Sequence, residues 1–421
     1  MKRLIFLNRF FYPDHSATSQ IVSDLSFHLA AAGADVHVIT SQQLYDSPRA
    51  SLTACETVNG VHVHRVATTG FGRRRLWGRG LDYASYYGSM WRCARSLVRE
   101  GDILVAKTDP PLASIFAMWV ARWANARLVN WLQDIYPETA ARLGVPFMRG
   151  PLGRVLSWLR DCSWRAAHAN VAVGDHMAQW VRSRGMPADR VHVIPNWCDD
   201  ERLFPVAHDK NPLRQEWALD GSFVVGYAGN LGRAHEFETV LAAAERLRES
   251  WRNAFLFIGG GHQFDRLAQD VRKRGLDRMF RFIPYQPEER LNNALNAADV
   301  HLISLKPELE GLIMPSKFYG IAAVGRPMIA ITATSGEVAS LVRQHACGLV
   351  IEPGDGHALA EALISLREDP LRAAEMGKRA RAMLDACFTR KQAFARWQSL
   401  LATLTTRDDF SSICRPFISS G

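Results

Sequence analysis

Glu310-Gly-Leu-Ile-Met-Pro-Ser-Lys317, continued by Phe318-Tyr-Gly-Ile-Ala-Ala-Val-Gly-Arg-Pro327 and the apolar run Met328-Ile-Ala-Ile-Thr332, reads as loop, helix and strand in succession. The Pro-Ser-Lys triplet predicts a helix start, Gly325 its stop, and the run beyond it a buried strand. The stretch also carries chemistry. A helix N-terminus offers free N–H groups and a positive dipole end, and Lys317 adds a full charge. Glu310, just upstream, can accept hydrogen bonds from hydroxyls. A sugar joined to a diphosphate would use both halves; an ordinary capped helix with a surface Glu and Lys is the alternative.

Outward from this stretch, apolar runs alternate with helical patterns along the whole chain, the signature of parallel sheets with crossover helices. Strands are predicted at Leu4–Leu7, Asp35–Thr40, Val61–Val66, Ile103–Lys107, Leu128–Trp131, Ala169–Val173 and Val191–Ile194, with helices such as Ser19–Ala32 and Pro151–Ala167 between them. A polar linker with Pro195, Pro205 and Pro212 interrupts the pattern. A second alternation follows, with strands at Phe223–Ala228, Ala254–Ile258, Phe280–Phe282, Val300–Ser304, Pro327–Ile331 and Gly348–Ile351. The fold class is therefore α/β: two doubly wound, Rossmann-like parallel-sheet domains facing across a cleft. Residues 1–205 form the first and 206–390 the second, while 391–421 make a C-terminal helix and a loose tail. Ligands of such sheets bind beyond the carboxyl ends of the strands.

The length of 421 residues suits two domains, and 48% hydrophobic with 22% charged residues suits a folded globular chain. A net charge of +9 favours anionic partners. The seven scattered cysteines include no CxxC pair, so a reduced compartment and no zinc site are expected. Neither a secretory signal nor a membrane span is read from the sequence, which leaves a cytoplasmic or peripheral location.

The first turn, Asn8-Arg-Phe-Phe-Tyr-Pro-Asp14, has no glycine, which argues against a dinucleotide-dependent dehydrogenase. His15 and Ser16 follow in a hydroxyl-rich helix start that can cap the helix or contact a ligand. The second domain opens with Tyr227-Ala-Gly-Asn-Leu-Gly-Arg233, where Gly229, Asn230 and Gly232 form a turn that an anion can approach and Arg233 supplies a cation. Gly259-Gly-Gly261 ends another strand, and Pro284-Tyr285 a third, so Gly260, Gly261, Pro284 and Tyr285 are candidate walls for a nucleobase, with Pro315 and Ser316 completing the donor side. Asp134 and, more weakly, Glu138 stand after the strand Leu128–Trp131, where a carboxylate can orient an acceptor hydroxyl. Arg73, Arg74, Arg75, Trp77 and Arg79 make a basic, aromatic segment suited to an acidic lipid surface; nucleic acid and a solvated loop are its alternatives.

Taken together, these motifs resemble the GT-B glycosyltransferases of family 4, and among them bacterial enzymes of O-antigen, capsule and exopolysaccharide assembly. Val191-His-Val-Ile-Pro-Asn196 resembles the interdomain segment, Ala228-Gly-Asn-Leu-Gly232 the donor loop, Leu309–Lys317 the "LEGL-x-x-PSK" motif, and Gly348–Asp355 the turn near the end of the second domain. Some positions depart from the family pattern. Phe318-Tyr-Gly320 stands where relatives carry a second glutamate, Asn230 and Arg233 replace a common Arg and Lys, and Gln133 replaces a His.

The resemblance implies a retaining transferase that takes a sugar from a nucleotide-diphosphate donor without a metal or other cofactor. Arg233, Lys317, Ser316 and the amides near Gly229 and Asn230 would stabilise the departing diphosphate. Glu310 would hold the sugar, and Asp134 would position the acceptor. That acceptor is expected to be a polyprenyl-linked saccharide met by the Arg73–Trp91 region at the inner membrane face, with no nucleic-acid partner. A GT-B sugar-nucleotide epimerase and a non-catalytic membrane scaffold remain as alternatives.

Overall fold

The computed structural model describes residues 2–45, 52–71, 76–249, 251 and 255–406. Eight strands, β1 (Leu4–Leu7), β2 (Val36–Ser41), β3 (Cys55–Val58), β4 (Val61–Val66), β5 (Ile103–Lys107), β6 (Arg127–Leu132), β7 (Ala169–Ala172) and β8 (Val191–Val193), form a sheet ordered β3-β4-β2-β1-β5-β6-β7-β8. Six more, β9 (Val225–Asn230), β10 (Phe255–Gly260), β11 (Phe280–Ile283), β12 (Val300–Ser304), β13 (Met328–Ile331) and β14 (Gly348–Ile351), form a second, ordered β11-β10-β9-β12-β13-β14. The second sheet has the doubly wound 3-2-1-4-5-6 order. The first repeats it with β8 added at one edge and β3 at the other, β3 antiparallel to β4. In each, the order reverses beside the first strand, between β1 and β5 and between β9 and β12, both pairs parallel. That reversal opens a crevice at the carboxyl ends of the strands, where the crossovers leave in opposite directions.

The second sheet is buried on both faces, which is why its strands read as continuous apolar runs. Val225, Tyr227, Phe255 and Phe257 pack with Val240, Leu241 and Leu267 on one side; Val224, Leu256 and Ile258 pack with Leu213, Trp217 and Ala294 on the other. Each phenylalanine ring so enclosed contributes roughly 1.5–3 kcal/mol.

By its contacts the chain divides into two compact units. One comprises the residues up to Trp131, Leu159–Val171 and the chain from Phe394 onward; the other comprises Leu132–Trp158 and Ala172–Ala393. In the first unit, Trp397 of the helix Arg390–Thr406 meets Trp131 edge to face, ring centroids 4.6 Å apart, and Phe394 stacks on His28.

Several element ends differ from the sequence reading. β9 and β10 run on through their glycines because Gly259 still pairs with Gly229 and Gly260 with Asn230. The first helix starts at Ala17 rather than Ser19. β3 had no predicted counterpart. The predicted strand start Ala254 and most of the expected loose tail lie outside the described residues, while Thr405 and Thr406 finish a helix. Among the described residues no helix is long and apolar enough to cross a membrane, and the six cysteines described are free.

Candidate functional site

At the crevice beside β9, Lys317 follows the loop that leaves β12. Its Nζ hydrogen-bonds Tyr227 Oη and lies 3.8 Å from the centroid of that ring. Its stem passes beneath Gly229, where an added Cβ would sit 3.7 Å from Lys317 Cε. Tyr227 Oη donates onward to the Asn230 carbonyl at 3.2 Å. Ammonium, phenol and turn are thus one connected chain. Burial alone pulls the Lys317 ammonium down to about 7, because desolvation disfavours the charged form. The same burial drives the Tyr227 phenol far above its ordinary range, with Tyr285 adding to it. A desolvated ammonium with no carboxylate partner among the described residues is poised to receive an anion.

Arg233 occupies the turn after β9, exposed and free of side-chain hydrogen bonds or ion pairs among the described residues. Its turn is held firmly. Gln263 Nε2 donates to the carbonyls of Gly232 (2.5 Å) and His235 (3.1 Å), Lys306 N donates to Ala234 O (3.0 Å), and Glu236 N donates to Ser304 Oγ (2.8 Å). His235 donates from Nδ1 to Ser304 O at 2.6 Å; burial first, and then the Lys317 charge, hold its pKa down to about 3, so the ring is neutral. That mutual influence puts the Arg233 turn beside Lys317.

The three glycines that end and follow β10 serve a close approach. A Cβ at Gly259 would lie 2.2 Å from Gly229 O, and one at Gly261 would lie 2.1 Å from Asn230 Oδ1. The turn of β9 therefore rests on the end of β10, with Leu231 N donating to Gly260 O at 2.7 Å. Against Gly260 stands the ring of Tyr285, following Pro284 and 55% exposed. Pro315 is buried and Ser316 exposed at the start of the helix Lys317–Ala323. Seven residues give that helix a small dipole, so the ammonium carries most of the anion-binding charge.

Glu310 is not loose in its loop. Thr332 Oγ1 donates to Oε1 and Glu337 N donates to Oε2 at 3.3 Å, which seats the carboxylate at the start of the helix Glu337–Gln344. The bare Gly336 makes room, since a Cβ there would lie 2.2 Å from Oε1. Glu337 repeats the arrangement one helix on. Its carboxylate accepts from Asp175 N (2.6 Å) and His176 N (3.2 Å), and burial pushes its pKa up against those bonds.

Asp134 forms an antiparallel bridge with Ile313, and Ile135 N donates to Leu312 O at 2.9 Å. The segment after β6 is thereby joined to the Glu310–Ser316 loop, which brings two carboxylates far apart in sequence onto adjoining backbone. Beside Asp134, the amides of Gln133 and Asn196 pair reciprocally at 2.9 and 2.8 Å. Glu138 accepts from Ser157 Oγ at 3.1 Å.

In the first unit the capping reading of Ser16 needs correction. Ser16 is at the N-cap of Ala17–Ala31, yet its hydroxyl makes no cap bond and donates instead to Asp14 at 2.5 Å. A buried carboxylate is the stronger acceptor and competes successfully with the helix amides. His15 is exposed. Arg73, Arg74 and Arg75 lie outside the described residues; Trp77 and Arg79 fall in the helix Leu76–Leu97. Further along that helix the aromatics are core. Tyr86 is fully buried, and Tyr87 stacks on Phe116 with centroids 4.7 Å apart and donates to Pro111 O.

Sequence reading missed Tyr227, Gln263, Thr332 and Gly336. Only Tyr227 left a trace, two positions before Gly229 on one strand face. Among the described residues no group of three or more His, Cys, Asp or Glu is placed to hold a metal ion. The site can meet a doubly charged anion with an ammonium, a guanidinium and turn amides. Glu310, with Asp134 on the adjoining backbone, offers acceptors for hydroxyls.

The sequence model "Glycosyl transferases group 1" matches residues 209–383, and "Glycosyl transferase 4-like domain" matches residues 17–197. The chain is 26% identical over 302 residues to the probable glycosyltransferase WbjE of Pseudomonas aeruginosa, covering 70% of this chain and 74% of that one. It is 31% identical over 212 residues to the "putative colanic acid biosynthesis glycosyl transferase WcaI" of Escherichia coli K12, covering 49% and 51% of the two chains. In structure it is similar to the sucrose-phosphate synthase of Thermosynechococcus elongatus (TM-score 0.75, 17% identity, 96% of this chain and 99% of that one). It is also similar to HepE of Anabaena in complex with UDP-glucose (TM-score 0.70, 17% identity, 96% and 100%). At these identities the structural likeness speaks to the fold.

Proposed function

The chain belongs to family 4 of the glycosyltransferases, enzymes of the GT-B fold, and we propose that it moves a sugar from a nucleotide-diphosphate donor to a lipid-linked saccharide with retention of configuration, in bacterial surface-polysaccharide assembly. The observation that carries the donor reading is the Lys317–Tyr227–Asn230 chain at the strand reversal beside β9. In the reaction the C1–O bond to the diphosphate breaks and its electron pair leaves with the phosphate oxygen. A bond from the acceptor oxygen to C1 forms on the same face, and the hydroxyl proton passes to the oxygen of the departing diphosphate. Lys317 and Arg233 neutralise the charge gathering on the departing diphosphate, an electrostatic contribution of several kcal/mol in a dry site. Because side-chain cations do this, no metal is required. The exposed face of Tyr285 suits stacking of the base, Glu310 the sugar hydroxyls, and Asp134 the acceptor hydroxyl.

The colanic acid biosynthesis in the name of WcaI supports a polysaccharide product, and the UDP-glucose complex of HepE supports a nucleotide-sugar donor. Work at the cytoplasmic membrane face follows from a lipid-linked acceptor. A thermal-shift panel of UDP-, GDP-, ADP- and dTDP-sugars tests the donor half: one of them should raise the melting temperature, because a ligand of the native state stabilises it. No shift with any of them, at concentrations well above those usual for such donors, contradicts the reading.

A further inference from the structure

Away from this site, exposed apolar side chains gather in one stretch of the second unit. Phe147 is 80% exposed, and Leu152, Val155 and Trp158 are 49%, 52% and 61% exposed on the opening turns of the helix Pro151–Ala166. At helical spacing those three fall within about 120° of one another, on one side. Phe147 has a φ of 69°, a left-handed conformation that costs an aromatic residue energy. Packing maintains it. Arg149 Nε donates to Ala141 O at 2.9 Å, Gly150 N donates to Phe147 O at 3.2 Å, and Gly153 admits the loop so closely that a Cβ there would lie 1.9 Å from Met148 O. The loop therefore holds a bulky ring out into solvent.

Charge identifies what the ring meets. From Thr139 through Trp158 the chain carries three arginines and no Asp or Glu, with Glu138, bonded to Ser157, at its edge. Arg154 is exposed and unpaired among the described residues. A second copy of the chain seated symmetrically on this face would set arginine against arginine. An anionic bilayer instead offers phosphates at the depth where Trp and Phe rings settle, with apolar chains just below.

We propose that Phe147–Trp158 is a membrane-inserting wedge. Phe147, Leu152, Val155 and Trp158 enter the boundary between headgroups and acyl chains, while Arg149 and Arg154 meet the lipid phosphates. The wedge rests on the lipid-linked acceptor of the previous subsection for its purpose, since it carries the chain to the surface where such a substrate lies.

The test is co-sedimentation of the full chain with phosphatidylcholine–phosphatidylglycerol vesicles and with phosphatidylcholine alone. The double variant Phe147→Asn/Trp158→Gln keeps a residue that tolerates the left-handed turn and a good helix former. Wild type should bind the anionic vesicles, and the double variant should bind at least about tenfold more weakly, since two large apolar groups no longer leave water. Its melting temperature should stay that of wild type. Three results overturn the proposal: no binding by wild type, undiminished binding by the variant, or a wild-type dimer in solution that the variant abolishes. Vesicle binding that depends on Phe147 and Trp158 in a chain unable to use a lipid-linked acceptor would refute the acceptor reading and leave the wedge standing.

Discussion

Lys317 shows how a buried ammonium is held at a cost to the fold. Its pKa falls from 10.5 to about 7 through burial. Between those values the unfolded chain keeps a proton that the folded chain gives up, so this residue's contribution to stability rises with pH across that window, and its burial penalises the fold at and below pH 7. Diphosphate binding has the opposite dependence, because only the ammonium attracts it. Donor affinity should be highest below about pH 7 and weaken by up to about tenfold per unit above it. Lys317→Arg, charged at every accessible pH, should flatten that profile. Calorimetric titrations from pH 6 to 9 check this; a flat wild-type profile, or an unchanged one in the arginine variant, contradicts the assignment. Lys317 was legible because Pro-Ser-Lys is a local motif. Tyr227 was not, because an aromatic on a buried strand looks like core until sheet register sets it under the lysine. Phe318 opens the Phe-Tyr-Gly stretch that the sequence reading set where the family pattern has a second glutamate. It is fully buried, 5.9 Å from the ring of Phe388, so a carboxylate at this position would have to be buried in an aromatic core.

Among the elements, the strands easiest to read were those buried on both faces, since their apolar runs leave no other reading. The edge strand β3 shows the converse. Its residues are nearly all exposed, so it carries no apolar signal. The cue that existed was Asn59-Gly60, whose φ values of 47° and 81° are those of a tight hairpin turn. Glu310 was legible as a carboxylate near the donor motif, but its anchoring was not, because Gly336 and Thr332 belong to a later strand and helix brought alongside by parallel pairing of β12 with β13. That anchoring yields a prediction for the helix Glu337–Gln344. Gly336→Ala would push a methyl into the Glu310 carboxylate and displace it. Affinity for the complete nucleotide sugar should drop by about tenfold while affinity for the bare nucleoside diphosphate stays unchanged, a loss on the order of one charged hydrogen bond. Equal losses for both ligands in parallel titrations would mean that Glu310 does not touch the sugar.

For the whole molecule, alternation of elements along the sequence was enough to predict two parallel sheets, because connections in such sheets are short and of one hand. The site needed more: the strand reversal beside β9, invisible in sequence, collects the turns after β9, β10 and β12 around one lysine. The account's central claim is that this collection grips a diphosphate so that a glycosyl bond can break. Its most direct measurement is transfer of labelled sugar from the donor identified by thermal shift to a polyprenyl-diphosphate-linked saccharide, by wild type and by Lys317→Ala, each with and without EDTA. Wild type should transfer equally well in both conditions, and Lys317→Ala should be slower by about 100-fold or more with its melting temperature not lowered. Undiminished transfer by Lys317→Ala, or donor turnover without any transferred sugar, would contradict it.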